Sequence, residues 1–570
     1  MENRWSPKSR KMNKATSIGT GILCVILFWG CGSSDEIPPP AFFHLESIRI
    51  GEVTDAPAYY HLDPATRITL HFSEPTDPAT LATNITLQHK SGDRAVLRFT
   101  PDQSALHIEP IDRLVAFSDY RLEIHNGLRA LSGSRIATGK LIPLTTGLDS
   151  TDKLPRIPDE ELLTLVQRHT FRYFRDFAHP VSGMARERSS SGNTVTTGGT
   201  GFGVMAMIVA AERAFITREE ALQQVQKIVS FLEQKATRYH GAFAHWINGA
   251  TGETIPFSSY DNGADLVETA LLMQGLLTAR QYFNQSTVTE YTLREDITRL
   301  WEAVEWDWFQ KEEEPVLYWH WSPTYGWQMN LPVTGWNESL IVYLLAAASP
   351  THPIGREPYD RGWARNGNMV NNATYHGYRL PLGPQQGGPL FFAHYSFLGI
   401  RPAGLRDKYA DYWEQNRNHT LINYRHCVAN PNGYYGYGED CWGLTASDGD
   451  KGYSAHSPTN DRGVIAPTAA LASMPYTPEE SMRALRFFYY KLGDRIWTAY
   501  GFTDAFNLTE RWFADQQIAI NQGPIILMIE NYRSGLLWKL LMNDGEIKQG
   551  VTGLGFTFDN TAVTTDPIGD

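Results

Sequence analysis

Cysteine is nearly absent: the 570 residues hold four. Cys427 and Cys441, the two outside the N-terminal segment, lack a C-x-x-C partner, which excludes a structural zinc site of the usual spacing. Basic runs are missing beyond the N-terminus, and 62 acidic against 50 basic residues give a net charge of −12. That balance excludes a nucleic-acid surface. The N-terminal apolar run GILCVILFWGC is too short to span a bilayer as a permanent helix. No repeat period is visible, which argues against an α-solenoid.

Aromatic residues, by contrast, are plentiful: 16 Trp, 27 Tyr and 26 Phe, many of them beside Gly, Pro and Asn rather than inside periodic apolar runs. Flat rings with edges free to hydrogen bond suit the apolar faces of sugars. Arg4, Lys8, Arg10, Lys11 and Lys14 precede GILCVILFWGC as a charged region precedes the apolar core of a signal peptide. The stretch ending at Cys31 resembles a bacterial lipoprotein signal, and the following GSSDE resembles the acidic export tag of surface lipoproteins in Bacteroidetes-type bacteria. This resemblance implies cleavage of residues 1–30, a lipid on Cys31 that anchors the chain to a membrane, and a linker over 31–44. The expected location is the outer membrane or periplasm, surface-exposed or not. For an exported chain, Cys427 and Cys441 either pair across a Gly/Tyr-rich loop or stay as two thiols.

From 45 to 149 the pattern has period two. RITLHFSEP, NITLQHK, AVLRFTP, ALHIEP and YRLEIHNGL alternate apolar and polar residues between turn signals, which predicts a small β-sandwich. ITLHFSEPTDPATL resembles the opening of bacterial immunoglobulin-like modules, most simply a spacer. From 155 to 545 the period becomes helical. Charge-rich segments at 158–178, 217–236, 288–306, 356–366, 404–418 and 478–492 alternate with six apolar, small-residue-rich ones. Six pairs predict an (α/α)6 barrel, whose outer helices keep one face in water while its inner helices are covered all round. Residues 546–570 read as a tail. Long loops rich in Gly, Trp, Tyr and Asn precede each inner segment, so the cleft is expected at the inner helices' N-terminal ends.

SSYDNGADLVETALLMQGLL, residues 258–277, opens an inner segment with Asp261, Asp265 and Glu268. On a continuous helix these acids share one face, pointing into the barrel mouth. Glu338, flanked by Trp336 and Asn337 in GWNES, opens another inner segment. Paired carboxylates are what glycoside hydrolysis requires: a protonated one for the leaving oxygen, an ionised one to activate water or attack. Burial beside aromatics raises a Glu pKa as a general acid needs, so Glu338 is the expected proton donor.

The ordered motifs YDNGADLVETALLMQGLL, GWNES, WGLTASDG, YGFTDAFN and INQGPIILMIENYRSGLLW resemble the glycoamylase-like superfamily, and within it the bacterial β-1,2-glucanases. The resemblance covers about 155–545. It implies an (α/α)6 barrel that hydrolyses β-1,2-glucosidic bonds with inversion, no metal and no other cofactor, and it places acidic pocket residues at Asp261, Asp265, Glu268 and Glu338. Many members carry IDQGP where this chain has INQGP, so the resemblance supplies no base at Asn521. Asp504 ranks first among the remaining late acids, ahead of Asp448 and Asp515. Sugar contacts are expected from Arg186, Arg188, His245, Trp246, Trp319, His320, Trp336, Gln386, Trp442 and Asp448. A neutral glucan is the expected partner, of a monomer. The alternatives are a glycan-binding surface lipoprotein without hydrolytic activity, or a glycosidase acting on another β-glucan. Binding alone gains nothing from four mutually repelling carboxylates around a neutral sugar.

Overall fold

The computed structural model describes residues 42–558. The signal segment and Cys31 lie outside the described residues. Alternation becomes burial in the N-terminal domain: in Ile68–Phe72, Ile68, Leu70 and Phe72 point inward while His71 faces water. Two sheets sandwich this core. One runs Val53–Thr54, Leu45–Ile50, Ile68–Phe72, Ala105–Pro110, Leu97–Asp102; the other runs Tyr59–Leu62, Lys140–Thr146, Asp119–Ile124, Ile85–His89. Phe43, Ile48, Phe72, Leu87, Leu106 and Leu122 fill the space between them. The expected immunoglobulin-like sandwich is what forms.

The helical part alternates outer and inner elements. α1 (Asp159–Arg175), α3 (Arg218–Gln234) and α5 (Val288–Glu302) are outer; α2 (Thr197–Glu212), α4 (Leu266–Tyr282) and α6 (Leu340–Ala348) are inner. α3 shows the outer design: Leu222, Val225, Val229 and Leu232 form its buried stripe, and Thr217 closes its start with a capping box to Glu220. α2 is buried on nearly every face, as its glycines and small residues allow. It approaches α4 so closely that a Cβ on Gly275 would lie 2.1 Å from the Gly201 carbonyl oxygen. The inner ring continues through Tyr395–Phe397, α8 (Pro467–Leu471) and α10 (Ala519–Ser534), which returns to α2. The outer ring is completed by Pro358–Trp363, α7 (Tyr412–Ala429) and α9 (Pro478–Arg486).

Several elements differ from the sequence expectation. The fourth inner element is two 3-10 turns, Leu390–Ala393 and Tyr395–Phe397, and its outer partner is a single π turn. The fifth outer helix begins at Tyr412 rather than 404, because Asp411 caps it by accepting from the Trp413 and Glu414 amides at 3.0 and 3.1 Å. The last inner segment breaks at left-handed Gly535 (φ 66°), giving α11 (Leu536–Asn543). Residues 546–558 are not a loose tail: α12 (Gly545–Gly553) packs on α6, with Gly550 against Ala348. Cys427 and Cys441 are both free, buried thiols, so the allowed bridge is not formed. Among the described residues no helix is long and apolar enough to cross a membrane.

The two domains meet through specific contacts. His61 stacks on Tyr435 at 4.1 Å, the Tyr435 hydroxyl accepts from the Leu148 amide at 2.9 Å, Phe117 meets Phe513 edge-on, and Arg511 donates to Asp119.

Candidate active site

A cavity of about 400 Å³ opens at the N-terminal ends of the inner helices. Its acids come from three separate segments: Glu187 and Glu338 from loops and Glu268 from the first turn of α4. Trp246, Phe257, Trp319, Phe391, Tyr395 and Tyr453 supply its aromatic walls, and Arg188 and His245 its cations. The three acids of the 258–277 stretch do not share one helix face, because α4 starts only at Leu266. Asp265 is its N-cap, in a two-residue bridge to His320, and Asp261 precedes it in a turn closed by the Phe257 amide donating to its carbonyl at 2.9 Å. Glu268 alone is helical, and it alone of the three lines the cavity.

Each acid has a different environment. Asp265 is fully buried, its Oδ1 accepting from the Val267 and Glu268 amides at 3.0 and 2.9 Å while Oδ2 meets His245 Nδ1 at 2.9 Å. Burial works against its charge, but His320, His245 and the capping amide together hold the carboxyl below its ordinary value. Glu268 Oε2 accepts from the Gly198 amide at 2.7 Å and the Thr196 hydroxyl at 3.3 Å, tying α4 to the start of α2. Burial raises the Glu268 pKa, with His245 opposing and Asp265 adding to it. His245 itself is pushed up to about 9: burial disfavours its cation, and Glu268, Asp265 and Asp261 outweigh that. His320 Nδ1 sits 3.4 Å from Asp261 and 3.8 Å from Asp265, and its pKa is raised against burial by the same two acids. The second layer of the site is therefore two carboxylates clamped between two imidazolium-favouring rings.

Glu338 stands two residues before α6. Its carbonyl accepts from the Ser396 hydroxyl, and the Asn337 side chain accepts from the Ser339 amide at 2.9 Å, which fixes the turn. Burial, then Asp265 and Glu268, push the Glu338 carboxyl up to about 7. Trp336 is not the cause: its ring is buried against Phe397 and Tyr412 and does not line the cavity. Asp504 is pushed by burial to about 7 as well, but it is not among the lining residues. Its carboxylate accepts from Asn521 Nδ2 and the Asp448 amide, both at 2.7 Å, and Asn521 in turn accepts from the cavity residue Tyr395 at 3.3 Å.

Of the expected sugar contacts, Arg188, His245, Trp246 and Trp319 line the cavity. Asp448 stands beside it, paired with Arg188 at 3.1 Å. Arg186 instead donates to the Gly192 and Phe177 carbonyls, His320 lies behind Asp261, and Trp442 is core, donating to the Glu480 carbonyl at 3.2 Å. Gln386 sits in a tight left-handed turn (φ 58°) away from the cavity. Glu187, Tyr395 and Tyr453 also line the cavity, beyond the sequence expectation; Glu187, next to Arg188 in SGMARERS, alone among them carries a local signal. The family resemblance implies no metal. The structure instead brings His245, Asp261 and Asp265 together, their ligand atoms all within 4.8 Å, a set that can hold an ion. A proton on His245, favoured below about pH 9, competes for that position.

Known proteins share this architecture. A family model described as "Putative glucoamylase" matches residues 330–545, and one for a bacterial Ig-like domain matches 52–146. An exo β-1,2-glucooligosaccharide sophorohydrolase of Parabacteroides distasonis is 48% identical over 415 residues, 69% of this chain and 57% of that relative. This chain thus spans a little over half the length of that curated relative. An endo-β-1,2-glucanase from Chitinophaga pinensis, solved with sophorotriose and glucose, is 53% identical over 70% of this chain and 99% of its own (TM-score 0.69). A β-1,2-glucanase structure from P. distasonis, 37% identical, matches 91% of this chain and 74% of its own (TM-score 0.68). The chain belongs to the glycoamylase-like family, in the branch that includes β-1,2-glucanases, and carries a bacterial Ig-like domain ahead of its helical barrel.

Proposed function

We propose that this chain is a glycoside hydrolase that cleaves the β-1,2-glucosidic bonds of β-1,2-glucan or its oligosaccharides, with inversion. The observation that carries the reading is Glu338, a cavity carboxyl pushed by burial to about 7 and therefore about half protonated at neutral pH. A general acid works best with its pKa near the working pH. Glu338 donates the proton to the leaving oxygen, directly or through a water or sugar hydroxyl. Asp265, Asp261 and their histidines hold Glu268 and the cavity floor in place. Asp504, with both carboxylate oxygens engaged and no place on the cavity wall, suits support of the Asn521–Tyr395 side better than water activation. The activities named for the Parabacteroides and Chitinophaga relatives support the same bond specificity. The chain acts as a monomer tethered by a lipid on Cys31 at the outer membrane or in the periplasm, as its N-terminal sequence favours.

The test is incubation of the mature protein with β-1,2-glucan and separation of the products. Sophoro-oligosaccharides are expected, and their length distribution distinguishes release from a chain end from internal cleavage. Glu338→Gln should lower turnover by roughly 10² to 10⁴ with substrate binding retained. Turnover within about threefold of the parent would move the proton donor to Glu268, the other cavity carboxyl whose pKa is raised.

A further inference from the structure

We propose that two exposed rings outside the cavity, Tyr260 and Tyr325, form a platform on which the β-1,2-glucan chain continues beyond the enclosed site. The proposal rests on the hydrolase reading above. Large aromatic side chains in this barrel are mostly buried, and leaving one partly in water forgoes part of the stabilisation that its burial would give. At the mouth the pattern reverses: Phe257 is 48% exposed, Tyr260 42% and Tyr325 43%. Phe257 belongs to the cavity wall, stacked on His245 at 4.1 Å and edge-on to Trp246 at 4.8 Å. Tyr260 follows three residues later in the same closed turn and meets Tyr325 edge-on, centroids 5.2 Å apart at 87°. Tyr260 and Tyr325 therefore form a ridge on the turn that also carries the cavity-wall ring Phe257.

The ridge is rigid. Ser322 Oγ accepts from the Thr324 and Tyr325 amides at 3.1 and 2.9 Å and donates to Asn262 at 2.5 Å, joining the two turns. Ser322 and Gly326 exchange two backbone hydrogen bonds, and Gly326 takes the positive φ of 56° that closes the second turn. Beneath both, Ala264–Asp265 pairs with His320–Trp321, so the ridge stands on the strands that carry Asp265 and His320. Rings fixed before binding lose little entropy on contact. Neither tyrosine hydroxyl has a partner among the described residues, which leaves two rings and two polar edges for a neutral sugar chain. The platform's place on the turn that carries Phe257 favours the same ligand that fills the cavity over a separate protein partner.

The experiment compares kcat/KM on long β-1,2-glucan and on the shortest β-1,2-linked oligosaccharide that the parent cleaves, using the full mature chain. For the double variant Tyr260→Ala, Tyr325→Ala, the loss on the polymer should exceed the loss on the short substrate about tenfold, two ring contacts at roughly 0.5–1.5 kcal/mol each. Tyr260→Phe with Tyr325→Phe should restore most of the difference, since the rings remain. Equal losses on the two substrates, or none on either, overturn the platform while the hydrolase reading stands. A parent inactive on every β-1,2-linked glucan overturns the hydrolase reading, and the platform with it.

Discussion

Glu338 spends stability to keep its proton. Its carboxyl titrates near 4.5 in an ordinary setting and near 7 here, so between those values the folded chain holds a proton that the unfolded chain has released. Stability from this residue is intact below about pH 4.5 and is lost as pH rises to about 7. The gap corresponds to roughly 3 kcal/mol at full effect. Glu338→Gln removes the ionisable group and should be about 1–3 kcal/mol more stable than the parent in urea unfolding at pH 8, with the two proteins alike at pH 4. A gain of equal size at both values would mean that packing rather than charge is responsible. The parent's turnover should fall as pH rises past about 7, when Glu338 loses the proton it must donate.

At the scale of elements, the site depends on how closely α2 and α4 pack. Glycine makes that approach possible: a Cβ on Gly275 would meet the Gly201 carbonyl oxygen at 2.1 Å, and one on Gly201 the Leu271 carbonyl oxygen at 2.3 Å. The Gly198 amide, on α2, also holds Glu268. Gly275→Ala should therefore destabilise by about 1–3 kcal/mol or more and cut turnover as well, since spreading the helices pulls Glu268 off its donor. Gly553→Ala, at an exposed position of α12 with open space at its Cβ, should be neutral or slightly stabilising. Thermal melts and turnover of both variants check the contrast; a Gly275→Ala protein with parental activity would uncouple Glu268 from the helix spacing. The elements were mostly legible in the sequence, because covered and half-covered helices differ in composition. The helix start at Leu266 was less so: Asp265 reads as one acid among three on a face, yet its side chain ends the face by capping. Glu187, Tyr395 and Tyr453 meet only through tertiary folding, and no local pattern marks the two tyrosines. Trp336 and Trp442 look like cleft residues by their neighbours and turn out to be core.

At the scale of the molecule, the Ig-like domain packs directly on the helical domain. It grips a hairpin, Phe506–Asn507 paired with Trp512–Phe513, through Arg511 to Asp119 and Phe513 to Phe117. The base of that hairpin carries Asp504, whose amide donates to the Gln516 carbonyl at 2.8 Å, and Asp504 holds Asn521 beside Tyr395 in the cavity wall. The Chitinophaga structure is matched over 99% of its length by 70% of this chain, so that structure has no counterpart for the rest of this chain. The docking should thus tune the site rather than hold the fold. The half-exposed ion pair is worth at most about 1 kcal/mol and the ring contact about as much, so neither change alone should register strongly. Phe117→Ala with Arg511→Ala should leave both domains folded, speed amide exchange across 501–518, and lower kcat about two- to tenfold with KM little changed. Faster exchange without loss of kcat would confine the domain's role to docking; unchanged exchange would show that the grip on the hairpin lies in the Tyr435–His61 stack instead.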